Sequence, residues 1–225
     1  MLLSLAVALE QAITGAAPAP GPPEIAAGAA AGTAAGFAVD LETLARAPVD
    51  ADLATLAAQQ EPGPVPLLGT PNTTAPYAAL LWNGGRFERL DVPWGARLAF
   101  LAVTTQAVPA FVESLVPAVE AGVALRALWP PPAGPGAVAA LTADAVSAAV
   151  CAARATGHGN ADLVAVAELA SGLMVVGPTV SDPRLRALQA GHSLAAGWLA
   201  VQLHLCGVLA APGTAEEVLL TREAP

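Results

Sequence analysis

Lysine is absent from this 225-residue chain, so all nine of its basic residues are arginines. Chemistry that needs a lysine, such as a Schiff base or a P-loop, is therefore closed to it. Eighteen acidic residues outnumber the arginines and set a formal net charge of −9. That balance argues against nucleic-acid binding, which needs a basic footprint against phosphate. Aromatic residues make up only 4% and charged residues 12%, while 55% of the chain is hydrophobic. A core of alanine, valine and leucine follows, and intrinsic disorder is excluded for most of the chain. The two cysteines, Cys151 and Cys206, have no CxxC spacing, which favours neither a disulfide framework nor a zinc site. Both sit in apolar, helix-like surroundings and read as buried free thiols.

The N-terminal run MLLSLAVALEQAITGAAPAP has no basic region, and Glu10 interrupts its apolar stretch. It reads as a retained amphipathic helix rather than a signal peptide, so a cytoplasmic location is expected. No Asp, Glu, Lys or Arg occurs between Arg186 and Glu216, a run long enough to span a bilayer. Gln189, His192, Ser193, Gln202 and His204 interrupt it, and each would be costly against lipid. A buried helix of a soluble protein, without a membrane partner, is the expectation.

Proline-rich breaks at Pro18 to Pro23, Pro62 to Pro66 and Pro130 to Gly136 divide the chain. They suggest an N-terminal helical Ala/Gly-rich segment over 1–62 and an α+β core over 63–225. Within the first, Asp50 reads as the N-cap of a short helix reaching about Gln60. In the second, Tyr77 to Trp82 and Arg86 to Leu90 flank Asn83-Gly84-Gly85, a sequence suited to a tight hairpin turn. Arg97 to Val103 is expected to add a third strand, and a helix follows Pro109 with Pro117 as a kink or restart. Thr142 is expected to cap a helix ending near Gly157, and Asn160 another ending at Gly172. Leu173 to Val176 reads as a buried strand. Asp182-Pro183 heads a long helix, and Thr214 with Glu217 has capping-box spacing. The expected fold is α+β, helix-dominated, with a small, mostly antiparallel sheet.

Catalytic patterns are sparse. His192 and His204 are too far apart on one predicted helix for a shared metal, and His158 reads as an exposed C-cap residue. No GxSxG, HExxH or GxGxxG pattern appears. Glu216-Glu217 reads as a helix start, and Asn72-Thr73-Thr74 as a sequon without a secretory context.

The stretch from Gly172 to Pro212 has the form strand, turn, then a helix carrying Ala190-Gly191-His192, closing with Gly207 and a small-residue segment. It resembles the C-terminal part of nitroreductase-like flavoproteins, nearest the dehydrogenases of ribosomal-peptide clusters that oxidise azolines. YAALLWNGGRFERLD is similar to the hairpin that precedes the core in that branch. The resemblance implies an FMN-dependent oxidoreductase, or a degenerate relative, acting in ribosomal-peptide modification on a peptide substrate. Arg184 and Arg186 are then the cations available to the cofactor, with His192 as a donor. It also implies a homodimer or a heteromeric complex. In that family an arginine- and serine-rich N-terminal segment grips the flavin phosphate, whereas the first 45 residues here contain no arginine. The lysine–tyrosine pair of azoline oxidation is missing too, since Tyr77 is the one tyrosine. These departures motivate the alternative, a non-catalytic scaffold or activating subunit of a partner enzyme.

Overall fold

A computed structural model describes residues 59, 61–105, 112–128, 137–174 and 182–215. The expectations for the N-terminal helix, for the Ala/Gly-rich segment and for the helix from Asp50 to about Gln60 lie outside these residues, Gln59 apart, as does Glu217 of the capping-box pair. The described part holds six helices: α1 Pro76–Arg89, α2 Trp94–Thr105, α3 Val112–Leu128, α4 Ala137–Ala155, α5 Asn160–Gly172 and α6 Pro183–Leu205. A two-stranded antiparallel sheet, β1 Val65–Pro66 with β2 Thr73–Thr74, precedes them in register Val65↔Thr74 and Pro66↔Thr73. The fold is thus helix-dominated with a small antiparallel sheet.

The sheet does not form where hairpin chemistry placed it. Asn83-Gly84-Gly85 lies inside α1, and neither glycine has the positive φ that a tight turn requires. These glycines serve proximity. A Cβ on Gly84 would stand 2.7 Å from the Gly191 Cα of α6, and one on Gly85 would stand 2.9 Å from the Ala187 carbonyl oxygen. On the opposing helix, a Cβ on Gly191 would sit 1.9 Å from the Leu81 carbonyl oxygen. Helix α1 therefore lies against α6 along bare backbone, which makes a turn at these residues impossible.

Asn83 also has a structural use. Its Oδ1 accepts from the Leu68 N–H at 2.9 Å, and its Nδ2 donates to the Pro66 carbonyl at 2.9 Å. The residue expected to turn a hairpin instead ties the real sheet to α1. That sheet uses part of the second proline break and the Asn72-Thr73-Thr74 tripeptide.

Arg97 to Val103 is likewise helical, within α2. A short apolar run of this length fits a buried helix as well as a strand. Here Phe100 packs edge-on against Phe87, centroids 5.3 Å apart, while Val103 is exposed. Leu173 is the C-cap of α5 in a right-handed helical conformation, so the expected strand does not begin there. Its remainder, Val175 and Val176, lies outside the described residues.

Local start and stop signals fare better. Asp182 caps α6, its Oδ1 accepting the Arg184 N–H at 2.8 Å, and Pro183 occupies the first turn. Helix α5 ends at Gly172 as expected, but its N-cap is Gly159, whose N–H is accepted by the Asp162 carboxylate at 3.2 Å. An extended Gly159 and an acid three residues later satisfy that end, leaving Asn160 inside the helix. Thr142 is buried within α4, because the preceding Ala137 to Ala140 already propagate the helix. Pro117 is accommodated inside α3.

Helix α6 packs against α1, α4 and α5, and small residues set its depth in the core. Gly197 meets α4 at Ala148, where an added Cβ would stand 2.6 Å from the alanine methyl. Gly122 of α3 meets Leu98, Ser147 and Cys151 in the same manner. Leu80, Phe87, Leu98, Leu125, Leu163 and Leu194 fill the remaining interior. Cys151 is buried among them, whereas Cys206 is exposed at the C-cap of α6, beyond the last turn that the core covers. Among the described residues, no helix is long and apolar enough to cross a membrane.

Candidate ligand-binding cleft

A cleft of about 420 Å³ opens where the α1–α2 connection meets α3, α4 and α6. Glu88 of α1 and Asp91 to Pro93 of the connection form one wall, and Trp94 and Arg97 of α2 continue it. Arg126 of α3, Leu141 and Asp144 of α4, and Arg186, Gln189 and Ala190 of α6 complete the lining. The connection turns sharply at Asp91, which has φ 52°, a left-handed conformation that aspartate tolerates better than most residues.

Two ion pairs support this lining. Arg97, nearly buried, donates through Nε to the Val92 carbonyl at 2.8 Å and through Nη1 to Glu88 at 2.6 Å. Arg126 donates through Nε to Asp144, which is itself largely buried. The guanidinium carbons of Arg97 and Arg126 lie 5.9 and 5.4 Å from the centre of the Trp94 ring. Its indole N–H donates to Ser147 Oγ at 3.0 Å, and that hydroxyl donates to the Gly122 carbonyl at 2.7 Å. The indole N–H thereby anchors the ring to α4 through Ser147. Burial pushes the Asp144 carboxyl above its usual range, and the neighbouring Arg126 charge pulls it only partly back.

The three residues suggested by the sequence do not meet. Arg186 lines the cleft, exposed at its mouth. Arg184, also exposed, belongs to the first turn of α6, where its N–H serves the Asp182 cap. His192 lies further along α6, outside the cleft lining, with its Nε2 3.4 Å from the Leu173 carbonyl and its Nδ1 3.2 Å from the Tyr77 hydroxyl. A carbonyl only accepts, so Nε2 carries the hydrogen and Nδ1 accepts from Tyr77. His192 thus joins α1, α5 and α6.

The remaining histidines gather at the other end of α6. His204 Nε2 lies 3.3 Å from Asp162, and the His158 and His204 rings are 5.9 Å apart. His158 is half-buried beside Thr156, whose Oγ lies 2.9 Å from its Nδ1, rather than exposed. Among the described residues no group of three His, Cys, Asp or Glu side chains is arranged to hold a metal ion.

Trp94, Arg97, Arg126 and Asp144 carry no sequence motif. They converge through tertiary packing of three helices, α2, α3 and α4, which no local spacing announces. Comparison with known proteins yields no match to a family model, a curated protein or a solved structure.

Proposed function

We propose that this chain is a non-catalytic helical subunit that scaffolds or activates a partner enzyme in the cytoplasm. The observation that carries this reading is how the ionisable side chains are used. Arg97 with Glu88, Arg126 with Asp144, and His192 with Tyr77 each join neighbouring elements. Helix-joining chemistry of this kind stabilises a frame. An exposed apolar group at the end of α6, Leu205, Val208 and Leu209, offers protein contact, with Leu209 70% exposed. A homodimer or a heteromeric complex fits that surface.

Co-purification with candidate partners tests the reading. A cognate partner is expected to raise the melting temperature by mass action, and replacing Leu205 and Leu209 by Ser is expected to abolish the gain. An isolated chain that turns over a substrate, with melting and rate unaffected by any partner, refutes it.

A second reading, an FMN-dependent oxidoreductase of ribosomal-peptide modification, draws support from the Gly172 to Pro212 resemblance and from Arg186 at the cleft mouth. The nitroreductase-like fold belongs to this reading. A flavin would supply the redox chemistry, leaving the protein to bind and orient it. Its test is direct: the purified chain should carry flavin absorbance or take up added FMN stoichiometrically. A colourless protein that does not bind FMN removes it.

A further inference from the structure

We propose that the cleft between the α1–α2 connection and helices α3, α4 and α6 binds a small organic monocarboxylate with an apolar body. The carboxylate would pair with Arg126 and Arg186, and the body would lie against Trp94. This goes beyond the scaffold reading and stands independently of it.

Charge distribution gives the first argument. The cleft gathers three of the chain's nine arginines but only three of its 18 acidic residues. A sample typical of the chain would hold twice as many acids as bases. The enrichment favours an anion.

The hydrogen-bond inventory gives the second. Arg126 spends only Nε on Asp144, so among the described residues its two terminal nitrogens keep their donors. Arg97 retains Nη2 after serving Val92 and Glu88. Arg186 makes no hydrogen bond or ion pair with any described group and stands at the mouth. A carboxylate is the planar acceptor that a guanidinium fork matches.

Local neutrality decides between carboxylate and phosphate. Three arginines face Glu88, Asp91 and Asp144, so formal charges in the cleft cancel. A monoanion held by one or two guanidinium groups suits that balance, whereas a phosphate dianion would leave the cleft with two excess negative charges.

The wall chemistry defines the rest of the molecule. Trp94, Val92, Leu141 and Ala190 present an indole face and aliphatic groups beside the cations. A volume of about 420 Å³ is within the range of small-molecule pockets. Phenylacetate carries both required parts and is a suitable probe.

Titration calorimetry of the full chain tests the proposal with phenylacetate, benzyl alcohol, inorganic phosphate and FMN. Phenylacetate is expected to bind one per chain, with benzyl alcohol and phosphate at least about tenfold weaker, the cost of one lost charge-assisted bond. Arg186→Gln, at an exposed position, should weaken phenylacetate about tenfold without changing the melting temperature. Arg126→Gln should weaken it at least as much, and the Arg186 variant keeps the test valid if that protein does not fold. Absence of saturable binding overturns the proposal, as does equal affinity for benzyl alcohol or phosphate, or indifference to Arg186→Gln. FMN displacing phenylacetate also overturns it, in favour of the flavin reading.

Discussion

At Gly191 the absence of one carbon decides whether two helices can touch. A methyl there would stand 1.9 Å from the Leu81 carbonyl oxygen, and backbone cannot move aside as a flexible side chain can. Gly157 makes the opposite case, with open space around it but φ of +81°. Gly191→Ala is expected to cost about 3 kcal/mol through overpacking, and Gly157→Ala about 1 kcal/mol through left-handed backbone strain. Urea denaturation of the two variants checks this, and equal losses would contradict the close crossing of α1 and α6. Both uses of glycine look the same in a sequence, which is why Asn83-Gly84-Gly85 reads as a turn and folds as a helix. Asp144 makes a separate prediction. Burial raises its carboxyl in the folded state, so the native protein holds that proton more tightly than the unfolded chain. The resulting stabilisation is complete below the unfolded value of about 4 and is lost as pH rises through the folded one. Asp144→Asn, always neutral, should lack this loss. Wild type should therefore lose stability relative to the variant as pH rises from about 4 toward neutral. A difference in stability that stays constant with pH would show that burial does not govern this group.

Helix ends divide into those written locally and those completed from far away. Asp182-Pro183 belongs to the first kind, because cap and first-turn proline are adjacent and their partner is Arg184 N–H. The end of α5 at Gly172 was legible for the same reason, while its start depends on Asp162 reaching back to Gly159. Glu168 belongs to the second kind. Buried on α5, its carboxylate accepts the backbone N–H of Gly213 at 3.0 Å and that of Ala215, fastening the segment after α6 to α5. The partners are 45 and 47 residues away, so no spacing rule could have found them. Asp182→Ala is expected to cost about 1 kcal/mol, the usual worth of an N-cap. Glu168→Gln places an amide donor where two N–H groups need acceptors, and is expected to cost about 2 kcal/mol. Hydrogen exchange separates the two. Exchange at Gly213 and Ala215 should quicken in the Glu168 variant and stay unchanged in the Asp182 variant.

Composition carried the broad architecture, since a chain rich in alanine and poor in aromatics builds its interior from closely approached helices. The polar residues between Arg186 and Glu216 also pointed correctly to a helix packed in protein, with Ser193 buried and bonded to the Leu141 carbonyl at 3.1 Å. The cleft was illegible, because its charged pairs join residues from different helices, and Arg186 alone of the suggested residues reaches it. Cys151 is buried as its surroundings suggest, whereas Cys206 is exposed for a related reason: the apolar sequence around it continues past the point where the core ends. The two thiols therefore report on different things. Cys206 sits exposed at the helix end and is open to reagent, whereas Cys151 lies under the Gly122 crossing of α3 and α4, with its thiol pushed upward by burial. Thiolate is the reactive form, so Cys151 is protected by both access and charge. Iodoacetamide is expected to label Cys206 in the native protein and Cys151 only when the helices separate. Mass spectrometry across a urea series should show Cys151 labelling with the same midpoint as global unfolding. Equal native labelling of both thiols would mean that the α3–α4 crossing opens without unfolding, which the packing of Gly122 against Leu98 and Cys151 does not permit.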